Sequence, residues 1–90
     1  MNKATWKQGR DKSWFGDYRG LSVRISVDPT GRPETIAWFI DGNLVESSPV
    51  QCAVAIAKEI ATRVIDEQIA RGNWAWASAR SEKIRKYARR

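Results

Sequence analysis

The sequence predicts a small α+β domain: an antiparallel sheet of three to four strands, one long amphipathic helix packed across it, and a basic C-terminal helix. Three observations carry that expectation. Apolar and polar residues alternate from Leu21 to Val27, and a second strand-like segment runs from Glu34 to Ile40, giving the two-residue period of a sheet with one buried face. From Val50 to Ile65 the apolar residues instead recur at helical spacing, with a broad apolar arc. The last twenty residues hold seven Lys/Arg against Glu82 alone. Ninety residues suffice for one domain, which at this size buries roughly 60–65% of the surface of its unfolded chain.

The N-terminal twenty residues space Trp6, Trp14, Phe15 and Tyr18 with Gly9, Gly16, Gly20 and the polar group Arg10-Asp11-Lys12-Ser13, which predicts short strands joined by turns. In the next strand Leu21, Val23, Ile25 and Val27 face inward and Ser22, Arg24 and Ser26 face water. Asp28-Pro29-Thr30-Gly31-Arg32-Pro33 reverses the chain, with Pro29 pre-setting φ and Gly31 accepting a positive one. The strand Glu34 to Ile40 puts Ile36, Trp38 and Ile40 on one face and Thr35, Ala37 and Phe39 on the other. With both faces partly apolar, this strand is central or has its second face covered. Asp41-Gly42 is a type I′ hairpin signal, and a two-residue loop sets Ile40 opposite Asn43, Phe39 opposite Leu44 and Trp38 opposite Val45. Leu44, Val45 and Glu46 form a short last strand.

Ser48-Pro49-Val50-Gln51 reads as a helix start, with Ser48 and Gln51 as a capping box and Pro49 at the first helical position. Val50, Ala53, Val54, Ile56, Ala57, Ile60, Ala61, Val64 and Ile65 make the apolar arc, with Glu59, Thr62, Arg63 and Asp66 opposite. Gly72 suits a C-terminal cap. Asn73 suits the cap of a second helix from Trp74 to about Tyr87, unless Gly72-Asn73 is a kink in one helix across residues 49–89. Residues 1–72 are thus expected to form the α+β body and 73–90 a basic helix of the same domain.

Composition removes several function classes. There is no histidine and a single cysteine, so a His base, a His ligand, a cysteine zinc cluster and an internal disulfide are all excluded. Cys52 reads as a small core residue suited to a reducing cytosol. No signal-peptide run follows Met1. The longest mostly apolar stretch, Val50 to Ala57, is far short of the roughly 20 residues that span a bilayer. The chain is expected to be cytoplasmic. Catalysis has little support: Ser47, Ser48 and Lys58 lack an oriented base, adjacent Asp66 and Glu67 point about 100° apart on a helix, and the glycines do not form a phosphate loop. No enzyme activity and no cofactor are expected.

The net charge of +6 is unevenly placed. Residues 1–70 carry nine basic and nine acidic groups, so the whole excess resides in residues 71–90. On a helix Trp76, Arg80, Lys83 and Tyr87 share one face, and Trp74, Ala77, Ser81, Ile84 and Ala88 form a weaker docking face. Aromatic rings stack on unpaired bases and cations neutralise phosphates. Arg71, Arg80, Lys83, Arg85, Lys86, Arg89 and Arg90 are therefore the expected phosphate contacts, and Trp76 and Tyr87 the stacking residues. The competing reading is a solvated basic helix with Trp76 tucked into a crevice. A second basic patch joins Arg19 and Arg24 to Lys3, Lys7, Arg10 and Lys12, against an ordinary wet strand face as its alternative.

Tyr18-Arg19-Gly20 before a strand resembles the opening of plant AP2-type DNA-binding domains, which place a helix on a three-stranded sheet. That family's later strand motifs are absent here, and its contacts are not carried over. Trp38 is expected in the core, and Trp6 and Trp14 are expected there or half-buried, each ring removing a large apolar area from water. Of the partner classes, nucleic acid is favoured. A membrane surface is disfavoured because the C-terminal apolar face is thin. A homodimer closed by exposed Trp residues is a further reading. The main alternative is a phage or mobile-element type inhibitor or adaptor that binds a host protein. It is similar in size and build to anti-CRISPR and other anti-defence proteins, without a shared motif.

Overall fold

The alternation read from Leu21 to Ile40 becomes the centre of a sheet. In the computed structural model, which describes residues 3–74, the strands are β1 (Thr5–Gln8), β2 (Trp14–Tyr18), β3 (Leu21–Val27), β4 (Pro33–Ile40) and β5 (Asn43–Pro49), followed by one helix, α1 (Val54–Ala70). The sheet is an antiparallel meander in the order β1-β2-β3-β4-β5. Five strands replace the three to four expected, because the glycine-rich N-terminal segment supplies two of them.

Local turn chemistry sets this meander. Between β1 and β2, the Lys12 amide donates to the Gly9 carbonyl at 3.1 Å and the Gly9 amide to Ser13 at 2.7 Å. The Asp11 carboxylate accepts from both the amide and hydroxyl of Ser13. Between β3 and β4, Asp28 accepts from the amides of Thr30 and Arg32 and from the Thr30 hydroxyl. The β2–β3 and β4–β5 loops are two-residue turns with both φ values positive, Arg19-Gly20 at 50° and 83° and Asp41-Gly42 at 51° and 80°. These are type I′ turns, whose twist matches that of the strands they join.

Strand alternation then segregates the side chains. Leu21, Val23, Ile25, Ile36, Trp38 and Ile40 are buried on one face, against the α1 stripe of Ala57, Ala61 and Ile65, which is fully buried. The two alanines bring the helix backbone close enough for the Trp38 indole N–H to donate to the Ala61 carbonyl at 3.1 Å. That bond satisfies the one polar atom of a ring that is 1% exposed. Trp74 is also buried, its ring 6.4 Å from that of Trp38. The core therefore reaches past residue 72, the expected end of the body.

The helix start is a correction. Ser48 and Pro49 belong to β5, and α1 begins at Val54 with Ala53 as an N-cap that makes no side-chain bond. Sheet pairing wins over the capping box because Thr35 faces Pro49 and the Val50 amide donates to the Glu34 carbonyl at 2.9 Å. Strand β5 is correspondingly longer than Leu44–Glu46. Its first two pairs, Ile40 with Asn43 and Phe39 with Leu44, are as expected. A register shift then sets Trp38 opposite Glu46 rather than Val45. Val50 and Ala53 accordingly lie outside the helix, and Ile56 is half exposed, because the buried stripe is narrower than the apolar arc.

Gly72 ends the helix as expected. Its φ is 83°, its amide donates to Ile69 and that of Asn73 to Gln68, both at 2.9 Å, which is a Schellman closure. The Asn73 side-chain amide adds a bond to the Gln68 side chain at 2.6 Å. The basic C-terminal helix expected over 73–90 lies, beyond Trp74, outside the described residues.

Candidate functional site

The face of the sheet opposite α1 has no element packed over it among the described residues. Pairing register arranges it in rows. Lys7, Phe15, Arg24, Ala37 and Ser47 stand side by side across all five strands, and Thr5, Asp17, Ser22, Phe39 and Leu44 form the adjacent row. A shallow cleft of about 410 Å³ opens between them, lined by Thr5, Lys7, Phe15, Asp17, Arg24 and Phe39 among others.

Phe15 is the centre of this surface. In β2 the residues Trp14, Gly16 and Tyr18 turn toward the helix side, so Phe15 is forced to the open side, where it is 44% exposed. The Arg24 guanidinium carbon lies 5.5 Å from its ring centroid, within cation–π range. Arg24 also pairs with Asp11 at 3.4 Å. The Ser13 amide, the Ser13 hydroxyl and the charge of Arg24 hold the Asp11 carboxyl below its ordinary value, so Asp11 stays ionised at neutral pH. On the opposite flank of the cleft, Asp17 accepts from the Ser22 hydroxyl at 3.2 Å.

The other expected basic residues divide. Arg19 occupies the β2–β3 turn and pairs with Asp66 of α1 at 2.9 Å, beside the Tyr18 hydroxyl, which donates to the same carboxylate at 2.9 and 3.0 Å. Burial, with the neighbouring Asp66, pushes the Tyr18 hydroxyl above its usual pKa. Arg19 thus ties the hairpin to the helix and does not share the open face with Arg24. Lys12 lies in the β1–β2 turn and donates to the Pro29 carbonyl at 3.3 Å. Arg10 and Arg71 are exposed, the latter at the C-cap of α1. Trp76, Arg80, Lys83, Arg85, Lys86, Tyr87, Arg89 and Arg90 lie outside the described residues.

Trp6 and Trp14 sit on the helix side, diagonal to one another across β1 and β2, half-buried against the core. The Lys58 ammonium from α1 lies 3.6 Å from the centroid of Trp14 and 5.6 Å from that of Trp6. They are accordingly half-buried, one of the two placements expected for them.

Sequence reasoning joined Lys7 to Arg24 in one basic patch, and the register places both in one row, but it passed over Phe15 and Phe39 as parts of that surface. The signal for Phe15 was present in the alternation around Gly16, and needed only the knowledge that β2 is a strand of this sheet. Tyr18-Arg19-Gly20, the tripeptide that resembles AP2-type domains, is the end of β2 and its turn, within five strands rather than three. Among the described residues no group of three or more His, Cys, Asp or Glu is placed to hold a metal ion. No helix among them is long and apolar enough to cross a membrane. No family model, curated protein or solved structure matches the chain.

Proposed function

We propose that the chain is a small, non-enzymatic nucleic-acid-binding accessory protein acting in a reducing cytosol. One observation carries the reading: on a sheet face with no element packed over it among the described residues, a half-exposed aromatic ring at Phe15 is flanked by the cations Lys7 and Arg24. An aromatic surface accepts bases, and flanking cations accept phosphates. The net +6 of residues 71–90 adds long-range attraction for a polyanion, with Arg80, Lys83, Arg85, Lys86, Arg89 and Arg90 as its phosphate contacts and Trp76 and Tyr87 as further rings.

Fluorescence anisotropy with labelled duplex DNA, single-stranded DNA and RNA tests the proposal. Affinity is expected to fall steeply with salt, as counterion release requires. A chain ending after Trp74, which keeps the buried Trp74 ring, is expected to bind more weakly and with a flatter salt dependence. Absence of binding to all three at low salt overturns the reading.

A second reading, an inhibitor or adaptor acting on a host protein, draws on another place. Edge strand β5 exposes Leu44 at 59% and Val45 at 43%, and an open edge of this kind accepts an added strand. A partner retained after nuclease treatment but lost with Val45→Lys favours it.

A further inference from the structure

We infer that the open sheet face takes single-stranded rather than duplex nucleic acid, with an unpaired base stacked on Phe15 and its phosphate on Arg24 or Lys7. The inference rests on the nucleic-acid reading above and deepens it.

Sheet dimensions argue against a duplex. Five strands at about 4.8 Å spacing set the edge strands roughly 19 Å apart, whereas the major groove is about 12 Å wide and admits a two-stranded ribbon. This face therefore does not enter a groove broadside. The aromatic chemistry argues the same way. Phe15 offers a ring face within a shallow cleft, and only an unpaired base has a free face to lay on it. The Arg24 guanidinium stands over the ring at 5.5 Å, so a base laid on Phe15 meets a cation already beside it that can turn to its phosphate. The Gly9 backbone lies against the ring edge, where an added Cβ would stand 2.9 Å from the Phe15 Cε2 atom, so the ring is held in place.

A second ring stands at a useful offset. Phe39 lies two strands and two residues from Phe15 in the register, a separation of about 12 Å by ordinary sheet spacing. Ser22 and Arg24 lie between them, suiting a chain that lays one base on each ring and passes its backbone over the centre. Arg24 is available for that backbone because its present partner, Asp11, is an exposed carboxylate at 3.4 Å, and pairs of this kind are weak. The cation count also favours a polyanion: Lys7, Arg10 and Lys12 outnumber Asp11 and Asp17 in β1, β2 and the turn between them, and β3 adds Arg24.

The experiment compares the full chain with Phe15→Ala and Phe15→Trp. Labelled single-stranded DNA, single-stranded RNA and duplex DNA, each of about twelve nucleotides or base pairs, match the span of small stacking sites. Tighter binding of a single strand is expected. Phe15→Ala is expected to weaken it roughly tenfold, the loss of one base stack, without changing the salt dependence or the melting temperature. Phe15→Trp restores it, and the better of the DNA and RNA arms identifies the sugar. Duplex binding as tight as single-strand binding, or single-strand binding indifferent to Phe15→Ala, overturns the inference and leaves the parent reading standing. No binding to any probe removes both.

Discussion

The two faces of the sheet share backbone and register but obey different rules. On the helix side, Leu21, Ile25 and Ile36 are fully buried, and each position is decided by how well it excludes water. On the open side, the same strands carry Ser22, Arg24, Ser26, Thr35, Ala37 and Phe39. Burial does not explain why an aromatic ring, an arginine and a lysine stand in neighbouring rows there. The lesson is that residues which stability does not require are easiest to recognise when their buried neighbours on the same strand are accounted for.

The sharpest way to separate the faces is to cut one large ring from each. Trp38→Ala is expected to cost about 3–5 kcal/mol, the range for deleting a buried aromatic side chain, and it also removes the bond to the Ala61 carbonyl. Phe39→Ala, one residue along but on the open side and only partly buried, is expected to cost about 1–2 kcal/mol. Urea unfolding of both variants checks the difference, and equal losses would mean that the open face is in fact packed.

Gly16 probes the helix side at its thin end. A Cβ added there would stand 2.6 Å from the Trp6 ring, so Gly16→Ala is expected to cost about 2 kcal/mol through overpacking. In a Trp6→Ala background the same substitution becomes neutral or stabilising, because alanine suits a strand better than glycine. The double-mutant cycle therefore shows strong coupling. Additive losses would place the strain elsewhere.

Much of this division was legible beforehand. The strands at Leu21 and Glu34, the Asp41-Gly42 turn, the burial of Trp38 and the stop at Gly72 all follow from local signals: alternation, a turn dipeptide and a cap residue. Local signals failed where two of them competed. Ser48-Pro49-Val50-Gln51 has the residues of a capping box, but its amide at Val50 meets Glu34 across β4, a partner sixteen residues away that no window on the sequence contains. The open face was legible only in part, as the wet side of β3 and a basic patch, and its aromatic centre was hidden for the same reason. Lys7, Phe15 and Arg24 become neighbours only through two hairpin registers, and Arg19, five residues from Arg24, is drawn to Asp66 instead.

Smaller effects test how the helix is fastened to the covered side. Tyr18→Phe is expected to cost about 1 kcal/mol by losing a bond to a partly exposed carboxylate. It also has a pH signature. Because burial and Asp66 raise the Tyr18 pKa from its ordinary 10.0, the hydroxyl stays protonated in the folded state where it ionises in the unfolded one. Its contribution is complete below pH 10 and is lost as pH rises through the folded value. The difference in melting temperature between wild type and Tyr18→Phe should shrink on that limb. Lys58→Met keeps the aliphatic stem but removes the charge from Trp6 and Trp14. It is expected to cost about 0.5–1 kcal/mol, read as a salt-insensitive drop in unfolding free energy.

Phe15 gives the smallest stability effect and the most discriminating one. Its ring is 44% exposed and faces away from the core, so Phe15→Ser is expected to change stability by no more than about 0.5 kcal/mol in urea. Arg24 loses its ring partner in that variant but keeps Asp11. That outcome would leave the Phe15 ring free to act as the proposed base platform. A loss as large as that of Trp38→Ala would instead make the ring part of the core and remove the physical distinction between the two faces.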